Sequence, residues 1–227
     1  MQLMNYCKVK YSKQAKTYTT VVPEFQQGLR RITFKFDTGA TDTMITVNAL
    51  FTSSKIAKKA VWFLNRCYNN KERYASKCLR AASGSKMKGI LCSVNDFAFN
   101  GLKSFKFYFY LIFSTANPKA LLGVDFIGCC DFNCKIGQDI EITKFYNGIY
   151  PGMLSIHDKA RAIDIAELLT ILKDIELPKE FKAKAEQTDL QGVIDSLDFE
   201  SSKDKEEISV NELDFSDGEL ATVKAFL

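Results

Sequence analysis

One long strand with a single apolar face limits the possible folds of this chain most strongly. Between residues 105 and 111 every odd position holds Phe or Leu, while the even positions hold Lys or Tyr. Successive side chains of a strand point to opposite faces, so the four apolar side chains share one face that needs a partner surface. Asn100-Gly101, just before this strand, is a strong hairpin signal, and we expect a hairpin over residues 96–113.

Patterns elsewhere predict a mainly β body with one inserted helix. The expected strands are residues 17–22, 30–36, 43–47, 132–136 and 140–145. A second hairpin is expected over residues 78–94, around Ser83-Gly84-Ser85. Residues 55–67 have helical apolar spacing and three lysines on the other face, which places this helix outside the sheet core. The apolar run over 121–126 predicts a strand end that breaks into a short helix.

The charge of the chain changes sign near residue 150. Residues 1–150 carry 22 Lys or Arg and 9 Asp or Glu, whereas residues 151–227 carry 9 and 18, so net charges of +13 and −9 give the overall +4. Residues 157–177 predict one helix with a broad apolar stripe, ended by Pro178. From residue 186 onward no periodicity holds. We therefore expect a domain over 1–150, a helical extension over 151–185 and an acidic tail without regular structure over 186–227.

The cysteine and histidine content disfavours several kinds of site. Seven cysteines, an odd number, indicate reduced thiols. The cluster of Cys129, Cys130 and Cys134 lacks the spacing of a metal knuckle. The single histidine, His157, leaves no plausible base for Ser/His/Asp or Cys/His catalysis. We expect no metal and no cofactor, so carboxylates must carry any catalysis.

Charge and hydropathy also disfavour several partners. The longest apolar run is the seven residues 107–113, against about 20 for a membrane-spanning helix, so no membrane partner is expected. Residues 1–16 lack the apolar core of a secretory signal, and we expect a cytoplasmic protein. The net positive charge of residues 1–150 is compatible with nucleic-acid binding. The lysines over 55–88 are dispersed and form no nucleic-acid motif, however, so a nucleic-acid partner is not expected.

The candidate catalytic motif follows the strand expected over residues 30–36. It reads Asp37-Thr38-Gly39-Ala40, and the chain contains one such Asp-Thr-Gly. This motif resembles the active-site loop of the aspartic proteases, and the resemblance implies hydrolysis of peptides by two carboxylates. Peptide hydrolysis without a metal or a nucleophilic side chain needs one group to activate water and another to supply a proton. Two close carboxylates do both, because like charges at contact cannot both ionise. One motif supplies one carboxylate, so a working site needs two chains related by a two-fold axis.

A second segment of the chain strengthens the resemblance to the aspartic proteases. The later segment Leu121-Leu122-Gly123-Val124-Asp125 resembles the apolar-apolar-Gly segment of the single-domain retroviral type, the retropepsins. The resemblance covers about residues 16–146. It implies a mainly β fold, a retropepsin-like closed β-barrel, and a homodimeric aspartic endopeptidase that cleaves protein or peptide substrates. The retroviral enzymes commonly have a pairing Asp and Arg where Thr41 and Val124 stand here, so a dimer contact through that arginine is not expected.

The same resemblance implies a role for each site residue. Asp37 would be catalytic, while Thr38 would bond across the dimer and Gly39 would let the backbone approach the substrate. The hairpin over 78–94 would be a flap that closes over an extended peptide. The implied substrate-binding residues are Ala40, Thr41, Asp42, Ser83, Gly84, Ser85 and Lys86. The implied family signature is Leu121, Leu122, Gly123 and Asp125.

Two other readings of these residues stay open. The chain could be a catalytically silent retropepsin-fold module for dimerisation or peptide binding. The retained Asp-Thr-Gly-Ala favours the enzyme over this module, because a scaffold needs the turn and not the carboxylate. It could also be an unrelated β-domain in which one turn matches the Asp-Thr-Gly motif by chance. The extension could add to the dimer interface or simply pack on the body. The acidic tail could inhibit the site, be a processing remnant, or only keep the chain soluble.

Overall fold

The structure is a computed structural model, and it describes residues 14–19, 32–70, 73–81, 83–99, 105–133, 140–146 and 156–197 of the 227. The chain divides into two compact units, residues 1–197 and 198–227. The second unit lies outside the described residues, so every element below belongs to the first.

The described residues include ten strands and seven helices. The strands are Gln14–Thr19 (β1), Thr33–Phe36 (β2), Met44–Thr46 (β3), Ser76–Arg80 (β4), Lys86–Phe99 (β5), Phe105–Ile112 (β6), Ala120–Leu122 (β7), Cys130–Asn133 (β8), Glu141–Phe145 (β9) and Ile163–Asp164 (β10). The helices are Val47–Leu50 (α1), Ser54–Asn69 (α2), Val124–Ile127 (α3), Ile156–Ala160 (α4), Ile165–Asp174 (α5), Lys179–Gln187 (α6) and Leu190–Ser196 (α7).

Strand β7 organises the region around the Asp-Thr-Gly motif. The larger sheet has the order β1-β2-β7-β3-β6-β5-β10, with β4 paired to β5 and β1 paired also to the end of β5. β7 runs parallel to β2 and antiparallel to β3. Because β2 and β7 are adjacent and parallel, the segments after Phe36 and Leu122 leave the sheet at the same edge, side by side.

The prediction of a mainly β, closed retropepsin-like barrel is wrong. The part of the chain that the structure describes is a mixed α/β structure with seven helices and open sheets. In that part β4 and β10 each pair with β5 alone, and β8 and β9 form a separate two-stranded sheet. A closed barrel has no such edge strands. The barrel was implied by the resemblance over residues 16–146, whereas Ile163, Leu168 and Leu172, assigned to an extension, are fully buried members of the core.

The predicted apolar face of β6 is confirmed. All four odd positions of this strand from residue 105 to 111 are buried, and β5 pairs with β6 as the second predicted hairpin requires. Phe107 stacks on Phe97 with ring centroids 4.1 Å apart and meets Phe34 edge-on at 5.8 Å. The opposite face is partly covered too, because Tyr110 packs with Met44 in a second cluster. The strand is therefore buried along its odd face and in part along the other.

The predicted inserted helix is present as α2, with two corrections. It extends beyond residues 55–67 at both ends, and Ser53 caps it by accepting a hydrogen bond from the Ile56 amide at 3.4 Å. Its apolar face is not outside the core as expected. Ala60, Val61 and Leu64 are fully buried, and the helix packs against β5, α5 and α7.

The prediction of one helix over residues 157–177 is wrong. Ile163 and Asp164 are extended as β10 and pair in parallel with β5. Asp164 then caps α5, because its carboxylate accepts a hydrogen bond from the Ala166 amide at 2.8 Å. The apolar spacing of this segment suits a continuous helix and a strand followed by a helix equally well. The segment begins as a strand because β5 offers an edge for pairing at Cys92 and Ser93.

Some predictions lie partly outside the described residues. The parts concerned are residues 20–22 and 30–31 of the first two strands, the second hairpin turn over 100–104, residues 134–136 of the strand expected at 132–136, and the tail over 198–227. Inside the described ranges, the strands expected at 43–47, 132–136 and 140–145 are present as β3, β8 and β9. Helix α6 crosses the boundary expected at residue 186, and α7 lies beyond it. None of the described helices is long and apolar enough to cross a membrane.

Candidate active site

Backbone hydrogen bonds fix the Asp37 loop where β2 leaves the sheet. The Asp37 amide donates to the Leu122 carbonyl at 3.0 Å, which continues the pairing of β2 with β7 past the strand end. The Ala40 amide donates to the Asp37 carbonyl at 3.1 Å and closes a turn. The Gly39 amide donates to Asp37 Oδ1 at 2.9 Å. Both the main chain and the carboxylate of Asp37 are therefore held in place.

The Asp37 carboxylate is partly accessible. Its side chain is 26% exposed, and the Lys35 ammonium lies 3.5 Å from Oδ2. Lys35 is itself 46% exposed, and an ion pair as solvated as this contributes little to stability. One oxygen of Asp37 thus meets a backbone donor, while the other faces a solvated ammonium.

The family-signature segment is bonded directly to the loop. The Val124 amide donates to the Ala40 carbonyl at 2.8 Å, and the Asp125 amide donates to the Thr41 carbonyl at 3.2 Å. A Cβ placed on Gly123 would lie 2.4 Å from the carbonyl carbon of Asp42. Glycine is therefore required for the two segments to approach this closely.

A buried carboxylate anchors the far end of the loop. Asp125 Oδ1 accepts from the Thr43 hydroxyl at 2.7 Å and from the Phe126 amide at 2.8 Å, while Oδ2 accepts from the Thr43 amide at 3.0 Å. The Thr43 hydroxyl also accepts from the Gly123 amide at 3.0 Å. Burial raises the pKa of Asp125, and the hydrogen bonds from Thr43 partly oppose that rise. The role of Asp125 in this structure is to hold the loop against α3.

Asp42 links the loop to the β4–β5 hairpin. The Lys77 ammonium on β4 contacts both carboxylate oxygens of Asp42, at 2.8 and 2.9 Å. The same ammonium lies 5.7 Å from the centre of the Tyr110 ring on β6. Burial, with a smaller contribution from Asp42, raises the pKa of Tyr110 to about 12, so its hydroxyl stays protonated at neutral pH.

The predicted hairpin tip is confirmed as a tight, exposed turn. The Gly84 amide donates to the Ala81 carbonyl, and the Ala81 amide donates to the Ser85 carbonyl, both at 2.9 Å. Gly84 has a φ of +83°, a conformation that glycine adopts at no steric cost. Ser83, Ser85 and the following Lys86 are exposed. The described contact that joins this hairpin to the Asp37 loop is therefore Lys77–Asp42, near the base of the hairpin.

The hydroxyl of Thr38 is buried beside Asp37 and has no hydrogen-bond partner in the described part of the chain. Leaving a buried hydroxyl unpaired costs about 1 to 3 kcal/mol. The surrounding bonds, which hold Gly39 and Ala40, fix the residue in this position all the same.

The structure brings most of the sequence-predicted site residues together. Asp37, Thr38, Gly39, Ala40, Thr41 and Asp42 form the loop, and Leu122, Gly123 and Asp125 bind it, with Leu121 one residue earlier in β7. The tip residues 83–86 lie at the other end of the hairpin from Lys77. Sequence reasoning missed Lys35, Thr43, Lys77 and Tyr110. Only Lys35 and Thr43 carried a signal, their nearness to the motif.

The described residues offer no group of three or more His, Cys, Asp or Glu side chains that could hold a metal. Five cysteines in these ranges are in no disulfide. Burial raises the pKa of Cys67 to about 11 and of Cys130 to about 12, and it raises the pKa of Cys92 as well. These buried thiols are poor nucleophiles at neutral pH, because the thiolate is the reactive form.

Comparison of the chain with protein-family models, with curated proteins and with solved structures gives no match in any of the three.

Proposed function

We propose that the chain is an aspartic endopeptidase, with one Asp37 from each protomer of a homodimer in a shared active site. The observation that carries this proposal is the presentation of Asp37. A partly exposed carboxylate sits on a loop that Leu122, Gly39 and Ala40 hold by three hydrogen bonds. A carboxylate held this firmly is preorganised for chemistry, since catalytic groups need fixed geometry.

Two such carboxylates supply the chemistry of peptide hydrolysis. When they share one proton, the ionised member takes a proton from water as it attacks the peptide carbonyl, and the protonated member donates to the reacting oxygen. Each chain contributes one Asp-Thr-Gly, so the pair requires two copies. The substrate would be an extended peptide segment, because the β4–β5 hairpin offers backbone groups for pairing.

The buried Thr38 hydroxyl supports the homodimer. Its oxygen is closed off from solvent in the single chain, so the Thr38 side chain would turn outward to meet a backbone or hydroxyl partner on a second loop that approaches on a two-fold axis. Satisfying one such group in each protomer would favour the dimer by about 1 to 3 kcal/mol per site.

A second candidate is a catalytically silent module for dimerisation or peptide binding. The Lys35–Asp37 ion pair favours it, because the ammonium already lies 3.5 Å from Oδ2 and would compete with a second Asp37 for that oxygen. In the enzyme, the Lys35 side chain must rotate away from Asp37, and its 46% exposure leaves room for another rotamer.

Site-directed substitution separates the two candidates. Purified wild type, Asp37→Asn and the control Asp174→Asn are incubated with a denatured protein mixture across about pH 4 to 7, with and without a statine inhibitor. Asp174 is an exposed residue at the end of α5 and serves as a matched control. We expect the wild type and the control to cleave, with inhibition by the statine, and Asp37→Asn to lose at least about a thousandfold. Cleavage that persists in Asp37→Asn refutes the catalytic assignment. Absence of cleavage by all three proteins favours the binding module.

The free thiols support a location in a reducing compartment, the cytoplasm. Cys78 is exposed on β4 and would be open to oxidation in a secretory environment.

A further inference from the structure

The segment over residues 157–164 contacts both strands of the β4–β5 hairpin where they leave the body. We define the hairpin root as Tyr74 and Ala75, before β4, together with residues 92–95 of β5. The root lies at the opposite end of the hairpin from the exposed tip at Gly84. What holds the root therefore decides how freely the tip moves.

Arg161 binds the β4 side of the root through both its side chain and its backbone. Its Nη2 donates to the Tyr74 carbonyl at 3.1 Å, and its own carbonyl accepts from the Ala75 amide at 3.3 Å. The Ala75 carbonyl in turn accepts from the Leu91 amide at 2.8 Å, which begins the pairing of the two hairpin strands. Arg161 thus fixes the point from which the hairpin ladder starts.

Strand β10 binds the β5 side of the root. Ile163 and Asp164 pair in parallel with Cys92 and Ser93, and Asn95 Nδ2 donates to Asp164 Oδ2 at 2.9 Å. Because Asp164 also caps α5, this contact connects the root to a helix whose Leu168 and Leu172 are fully buried. The root is therefore attached to the core on both strands.

The placement of Arg161 has a measurable cost. Its Nε is buried and has no hydrogen-bond partner among the described residues, although Nη1 lies 3.2 Å from His157 Nε2. Unpaired buried donors are unfavourable, so an arginine that made no contacts at the root would keep its Nε in water. The contacts with Tyr74 and Ala75 account for the guanidinium remaining there.

We propose that Arg161 is a positioning residue for the β4–β5 hairpin: through the root it sets the stiffness of the hairpin that closes over the peptide. The closing role rests on the proposed function, whereas the effect of Arg161 on hairpin motion does not. Lys77–Asp42 then holds the hairpin on the side of the Asp37 loop, and Arg161 holds it on the side of the core.

Hydrogen exchange on the full-length chain tests the proposal without requiring catalysis. The variants are Arg161→Met, the conservative Arg161→Lys, and the control Arg66→Met, which changes an exposed arginine of α2. In Arg161→Met we expect the amides of β4 and of the tip to exchange about tenfold faster, because one charge-assisted hydrogen bond is lost. Amides of β3 and β7 should keep wild-type rates. Arg161→Lys, which retains a positively charged donor, should recover part of the protection, and Arg66→Met should match the wild type.

A milder variant covers the case in which Arg161→Met does not fold. Asn95→Ala removes the bond from Asn95 to Asp164 at an exposed position, and we expect hairpin exchange about threefold faster, again without change in β3 or β7. Unchanged hairpin exchange in the folded variants overturns the proposal. Equal acceleration in the hairpin and in β3, β6 and β7 also overturns it, since that result is a general loss of stability.

The kinetic consequence is measured separately. If the wild type cleaves peptide, Arg161→Met should raise KM by about tenfold and change kcat less, because a looser hairpin weakens substrate binding. A fall in kcat with unchanged KM contradicts the positioning role. If no protein cleaves, the proposed function fails, while the exchange result still decides whether Arg161 controls the hairpin.

Discussion

The Thr43 residue gives Asp125 two hydrogen bonds, one from its hydroxyl at 2.7 Å and one from its amide at 3.0 Å, across 82 positions of sequence. Gly123 lies beside this pair and donates its own amide to the Thr43 hydroxyl. The loop that carries Asp37 is therefore closed at its far end by a buried, hydrogen-bonded carboxylate. Burial of Asp125 gives the pair a pH dependence that can be measured.

The pKa of Asp125 is raised above its ordinary value of 3.8, chiefly by burial. A carboxyl group with a raised pKa in the folded state binds a proton more readily there than in the unfolded chain. Its contribution to stability is fully present below the ordinary pKa and is lost as the pH rises through the raised value. We expect the free energy of unfolding of the wild type, relative to Asp125→Asn, to fall as the pH rises from about 3 to 7. Urea unfolding at several pH values checks this, and a difference that grows with pH contradicts it.

Gly123 should tolerate no side chain. In Gly123→Ala the new Cβ would lie 2.4 Å from backbone of Asp42, so we expect a loss of at least about 3 kcal/mol or failure to fold. Gly84→Ala is the matched control, since it meets no atom within 4 Å and suffers only from its φ of +83°. That strain costs about 1 to 2 kcal/mol. Urea midpoints measure both variants, and equal losses would mean that the loop and β7 can separate at little cost.

The Lys77–Asp42 pair should couple weakly in stability. Lys77 is 44% exposed and Asp42 is 12% exposed, so solvent screens the interaction. A double-mutant cycle with Lys77→Met and Asp42→Asn should give a coupling energy of about 0.5 to 1 kcal/mol. Urea unfolding of the two single variants and the double variant provides it. A coupling of zero would show that the contact at 2.8 Å adds nothing to holding the hairpin on the loop.

Lys59 on α2 should stabilise the end of α5. Its ammonium binds the carbonyls of Leu172 at 2.9 Å and Lys173 at 3.3 Å, where the helix leaves carbonyl groups without intrahelical donors. Lys59→Met should cost about 1 to 2 kcal/mol through the lost hydrogen bonds and the helix dipole. Lys55→Met, an exposed lysine in the first turn of the same helix, should be near neutral. Thermal and urea unfolding compare the two, and similar losses would exclude a specific role for Lys59.

Local patterns in the sequence predicted the elements whose form depends on neighbouring residues. The alternation in β6 and the apolar face of α2 follow from spacings of two and of three to four residues. The turn at Gly84 follows from Ser83-Gly84-Ser85. The Asp37 loop followed from its own motif. The signature residues Gly123 and Asp125 were identified, although their partner Thr43 was not.

The features that the sequence did not predict depend on contacts between residues far apart in the chain. Ile163 and Asp164 leave the helical pattern because the edge of β5 at Cys92 accepts a parallel strand. Lys77 was one of many dispersed lysines, and no spacing connects it to Asp42. The closed barrel was inferred from resemblance, and the open edges at β4 and β10 overturn it.

If an active site needs an Asp37 from each of two chains, mixing active and inactive subunits must lower the activity in a predictable ratio. Wild type and Asp37→Asn, carrying different tags, are co-expressed in equal amounts, and sequential capture confirms that mixed pairs form. Random pairing leaves about one quarter of the pairs with two wild-type subunits, so we expect the activity per total protein to fall to about one quarter of the wild-type value. Activity of about one half, as independent single-chain sites would give, contradicts the shared site.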